Sequence, residues 1–133
     1  LGSSMKKVLN FAFVLNFLTD GPVGAFLVFS PESFLPAGQV EGLLWVRNYG
    51  VAAITVASVP LWFWPHRDDY KVVGLAIGLL MAFHSALTIA LLTAGDQMFG
   101  SVLHFILATL FIVLFSLRAK WCVPQPADGP AET

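Results

Sequence analysis

Four apolar runs, Val8 to Phe29, Leu43 to Trp64, Val72 to Ala94 and Met98 to Leu117, fix what this chain can become. Each is about 20 residues, enough at about 1.5 Å per residue to cross a hydrocarbon core of about 30 Å. Only 11% of the 133 residues are charged, against about 25% in an ordinary soluble domain. A backbone in hydrocarbon must satisfy its own hydrogen bonds, and runs of this length do so as helices. The expected fold is therefore all-α, an integral membrane four-helix bundle with little chain outside the bilayer.

Charge sets the expected orientation. Lys6 and Lys7 precede the first run, Arg67 and Lys71 separate the second and third, and Arg118 and Lys120 follow the fourth. The other two connections carry only Glu32, Glu41 and Asp96. The excess of Lys and Arg in cytoplasmic loops puts both termini in the cytoplasm. Trp62, Trp64, Tyr70 and Trp121 suit the inner interface, and Trp45 and Tyr49 the outer one.

Residues 1–4, ahead of Met5, read as an expression scar, residues 5–121 as the transmembrane domain, and residues 122–133 as a flexible, proline-rich tail. The first run is read as a retained helix rather than a cleaved signal, because apolar residues continue through Ala25 to Phe29. The links are short except for Ser30 to Gly42, where Pro31, Pro36 and Gly38 suggest a compact outer cap between helices 1 and 2. Asp20-Gly21-Pro22 should kink or open the first helix, since Pro22 offers no donor to the Leu18 carbonyl. Gly74 and Gly78 form a GxxxG that permits close helix contact. One cysteine, Cys122, precludes an intrachain disulfide.

Ionisable residues at membrane depth mark the candidate site. Asp20, Arg47, His84 and His104 lie inside the apolar runs, where charge is costly and usually serves a function. Counting along each helix from the assumed membrane faces puts them at about 21, 25, 18 and 21 Å above the inner face, a single layer. Asn16 shares a face with Asp20, Thr88 with His84, and Ser101 with His104, while Asn48 and Thr55 align on the second helix. With Tyr49 as a further polar neighbour and walls from Phe13, Phe17, Met81 and Phe105, these residues would line a pocket for a small lipophilic ligand.

Several roles stay open for this layer. Asp20 as base, Arg47 as charge partner or oxyanion support, and a histidine as proton donor would serve an isomerase or hydrolase, opening an epoxide or shifting a double bond. Asp20 and Arg47 could instead be a structural ion pair, and Arg47 could extend to the interface beside Trp45. The histidines could simply hydrogen-bond between helices. A metal on His84, His104 and Asp20, or a haem between the two histidines, is a further alternative, although no cofactor is required and Arg47 would oppose a cation. Without a basic patch, nucleic acid is excluded as a partner. The remaining partners are the bilayer, the ligand, and a second copy or a larger membrane complex.

The sequence Ser30-Pro31-Glu32-Ser33-Phe34 after the first run, Arg47-Asn48-Tyr49-Gly50 opening the second, and a histidine in each of the last two resembles the DoxX-like small four-helix bacterial membrane proteins over about residues 8–117. That resemblance implies the four-helix fold and a bacterial inner membrane. Because some members look like redox-associated subunits, it also implies an accessory or assembly role in a membrane complex as the alternative to an enzyme. A looser similarity, to the emopamil-binding type of four-helix sterol proteins, transfers no residue role.

Overall fold

The computed structural model describes residues 2–36, 38–95 and 97–122; the tail from Val123, expected to be flexible, lies outside the described residues. Five helices follow one another: α1 (Gly2–Phe29), α2 (Leu43–Phe63), α3 (Tyr70–Ala94), α4 (Met98–Ser116) and the short α5 (Arg118–Trp121). No strand occurs among the described residues. Three helices, α1, α3 and α4, are long and apolar enough to cross a membrane. The 21-residue α2 is not among them, because Arg47, Asn48 and Tyr49 crowd polar character into its first two turns.

The chain packs as two units, one of Leu1–Asn10 with Phe63–Thr133 and the other of Phe11–Trp62. In the first, α3 and α4 form an antiparallel hairpin, as the link of only a few residues between them requires. The start of α3 is capped by Asp69, whose carboxylate accepts from the backbone N–H groups of Val72 (2.9 Å) and Lys71 (2.8 Å). Those bonds, Val72's first, hold the Asp69 carboxyl below its ordinary value. At the other end Gly95 adopts a left-handed φ of 82° and returns its N–H to Leu91, a stop that a residue with a Cβ adopts only with strain.

Val73, Ala76, Ile77 and Leu80 of α3 and Leu107, Phe111 and Leu114 of α4 are buried, repeating at three- and four-residue spacings that define one helix face each. Trp121 of α5 donates its indole N–H to the Leu114 carbonyl at 3.1 Å, and Lys6 pairs with Asp68. The GxxxG glycines do not meet another helix backbone. Gly74 makes room for the Arg118 guanidinium, and Gly78 lies against the Phe115 ring.

In the second unit, α1 and α2 approach backbone to backbone. A Cβ built on Gly24 would lie 2.9 Å from the Gly50 carbonyl oxygen, and one on Gly50 would lie 2.8 Å from the Gly24 carbonyl oxygen. This reciprocal contact fixes the register of the pair. The connection between them holds a 3-10 turn, Pro31–Phe34, whose Phe34 ring packs edge-on against Phe26 at 5.3 Å. The sequence led us to expect that Pro22 would kink or open α1. The helix does not open: α1 is assigned helical from Gly2 to Phe29 with Pro22 inside it.

Gly24→Ala or Gly50→Ala should therefore force the α1/α2 pair apart and cost about 1–3 kcal/mol. Gly21→Ala is the control, since its Cβ would sit at an ordinary 3.7 Å from Ala57. Thermal melts in detergent should show the first two variants falling well below Gly21→Ala; equal melting temperatures would contradict the close seam.

Candidate functional site

Two buried polar arrangements stand out, one in each unit. In the α3/α4 hairpin, His84 and His104 lie about ten residues to either side of the turn near Gly95, so antiparallel packing brings them level. Their Nδ1 atoms are 2.8 Å apart and their rings stack at a centroid distance of 5.1 Å and an angle of 25°. Neither ring is open to the surroundings, with His84 at 0% and His104 at 6% exposure. Phe111 stacks on the His84 ring at 5.7 Å, and Phe83 meets both imidazoles edge-on.

A contact between two Nδ1 atoms at that distance demands one proton between them. One imidazole donates through Nδ1–H, and the other accepts and so carries its hydrogen on Nε2. The same distance argues against a shared ion. Two imidazole nitrogens on one tetrahedral metal stand about 3.3 Å apart, and a haem would need its disc between the rings. The alternative of a metal or haem centre between these nitrogens does not fit the pair as it stands, and no cluster of three ligating side chains occurs among the described residues.

Thr88 and Ser101 flank the histidines, as expected from the spacing. Both hydroxyls donate to their own helices: Thr88 to the His84 carbonyl at 2.7 Å and Ser101 to the Gln97 carbonyl at 2.9 Å. With Leu92, Val102 and Phe105 they line a shallow recess of about 120 Å³. Met81 is half-buried on α3, and Phe105, expected as a pocket wall, is 61% exposed.

In the α1/α2 unit the buried groups are Asn16 and Asp20. The Asn16 amide donates to the Val56 carbonyl at 3.3 Å. Val56 lies four residues before Pro60, so its carbonyl is the one that Pro60, having no N–H, leaves without a helical donor. Asn16 thus supplies a hydrogen bond that α2 cannot make for itself. This accounts for an amide buried in an apolar helix, where the sequence suggested a ligand contact.

Arg47 does not join the buried polar groups on this side. Gly21 faces Ala57, which lies about ten residues, or about 15 Å, along α2 from Arg47. Asp20 is buried, whereas Arg47 is exposed and makes no ion pair with any described residue. The ion pair considered as an alternative role for these two residues does not occur. Asn48 and Thr55 are exposed, Tyr49 is half-buried, and Phe17, 40% exposed, borders a groove of about 410 Å³ that also touches Gly21, Pro22, Ala57 and Leu61.

Phe83 and Phe111 around the imidazoles escaped the sequence reading. Phe111 could have been found, since it follows His104 by seven residues and shares its helix face. No family model, curated protein or solved structure matches this chain.

In a cycle of His84→Ala, His104→Ala and the double variant, the double should cost less than the sum of the singles by about 0.6–1.7 kcal/mol. Nitrogen NMR of the histidine side chains should show one protonated and one bare Nδ1; two protonated Nδ1 atoms at neutral pH would contradict the pairing. For the second site, Asn16→Ala should cost about 1–3 kcal/mol by leaving the Val56 carbonyl unsatisfied, and much less in a Pro60→Ala background, where α2 supplies its own donor. Equal costs in the two backgrounds would mean that Asn16 does not serve that carbonyl.

Proposed function

We propose that this chain is a four-helix membrane protein with both termini cytoplasmic, and that it works as a non-catalytic accessory or assembly subunit of a larger membrane complex. The observation that carries this reading is the direct His84–His104 contact, with the adjacent Thr88 and Ser101 hydroxyls turned onto their own backbones. In that hairpin the buried polar groups are engaged with one another and with the main chain, as in a helix lock. The protein then acts through its outer faces. The resemblance to DoxX-like proteins, some of which look like redox-associated subunits, is consistent with this role.

A second reading rests on a different observation. The α1/α2 unit combines a buried carboxylate, Asp20, with an apolar groove of about 410 Å³ beside Gly21 and Pro22. A small lipophilic ligand would suit such a groove. With Asp20 as base, an isomerase or hydrolase reaction on that ligand is the catalytic form of this reading.

Extraction of native membranes in a mild detergent separates the two. On the first reading, the protein migrates with a larger assembly, and His84→Ala reduces the assembled fraction only as far as it reduces folded protein. On the second, it migrates alone, mass spectrometry finds a retained small molecule, and Asp20→Asn releases that molecule without loss of the folded chain. A protein that migrates alone and carries nothing would defeat both readings.

A further inference from the structure

Six of the seven Lys and Arg residues, Lys6, Lys7, Arg67, Lys71, Arg118 and Lys120, belong to the unit built on the α3/α4 hairpin. Its described carboxylates near these cations are Asp68 and Asp69, and both are engaged. Asp68 pairs with Lys6, and Asp69 caps α3. Arg67 donates to the Trp64 carbonyl at 2.7 Å and lies over the Trp64 ring.

Arg118 is held differently. Its guanidinium lies 4.2 Å from the centre of the Tyr70 ring and 4.9 Å from that of Phe115, and it rests against Gly74, where any Cβ would collide with it. Tyr70 and Gly74 are one turn apart on α3, so ring and glycine together form a fitted niche. Two aromatic faces and a missing side chain fix the plane of the guanidinium but accept none of its hydrogens. Nε is buried without an acceptor, and no hydrogen bond or ion pair joins the Arg118 side chain to another described residue.

The niche stands where the apolar helices end, since α3 begins at Tyr70 and α4 ends at Ser116. A helix pair that crosses a membrane meets lipid headgroups there. A planar, pre-oriented guanidinium with unmatched donors suits phosphate oxygens, which it can grip in pairs. The surrounding excess of positive charge favours a lipid with net negative charge. We infer that Arg118, held by Tyr70, Phe115 and Gly74, is a binding group for the phosphate of an anionic glycerophospholipid.

The test uses the full chain in bilayer discs of phosphatidylcholine with a minority of phosphatidylglycerol, and native mass spectrometry counts the lipids that stay bound. The wild-type protein should enrich phosphatidylglycerol about fivefold, the effect of one well-placed basic residue at a membrane surface. Arg118→Lys keeps the charge but loses the plane; Gly74→Ala keeps the charge and displaces the guanidinium, a flexible group that can move aside without disturbing the fold. Both should retain their helical circular dichroism and bring the enrichment close to one, while Lys120→Gln should keep most of it.

Enrichment that survives in Arg118→Lys and Gly74→Ala would mean diffuse charge attraction and would overturn the site. So would an equal loss in Lys120→Gln. Inorganic phosphate should leave the bound lipid in place; its displacement of phosphatidylglycerol would identify a site for the free anion and overturn the lipid assignment.

Discussion

A carbonyl or amide surrounded by hydrocarbon has no water to turn to, and each one left without a partner costs several kcal/mol. The polar groups of this protein are arranged under that constraint. Thr88, Ser101 and Thr109 send their hydroxyl hydrogens back to carbonyls of their own helices. His84 and His104 use each other, and Asn16 reaches a carbonyl that a proline has left without a donor. These are different solutions to one problem, and each ties the chain locally to a single arrangement.

Packing supplies the second ingredient, in different ways in the two units. The α1/α2 pair relies on absent side chains, with Gly24 and Gly50 bringing main chains into contact. Dispersion between closely apposed backbones replaces a hydrophobic driving force that lipid would cancel. The α3/α4 hairpin instead interleaves Ile77, Leu80, Leu107 and Phe111, with the imidazoles as a polar layer. Its glycines at 74 and 78 receive side chains from near the far end of the hairpin.

How much of this could be read beforehand depended on whether the signal was local. Helical class followed from run length, and depth counting placed His84 and His104 at similar heights, as their comparable distances to the turn at Gly95, eleven and nine residues, require. Arg47 was misplaced because depth was counted from assumed membrane faces. The real register of α1 and α2 is set by the Gly24–Gly50 contact, and two glycines in different segments leave no motif. The GxxxG at Gly74 and Gly78 was a motif without that contact. Pro60 and Asn16 were each visible, but their relation depends on which carbonyl faces which amide, a fact that exists only once the helices are packed.

That last relation has an evolutionary side. A proline in α2 is tolerable while a donor waits on α1, and the donor is worth keeping only while the proline remains. Asn16 therefore cannot drift freely while Pro60 is in place. Among descendants of such a chain, Asn16 should be retained wherever Pro60 persists and become replaceable once it is lost, so the two sites should change in that order. A hydrogen bond of 3.3 Å thereby becomes a constraint on sequence history, linking residues forty places apart through one main-chain oxygen that belongs to neither.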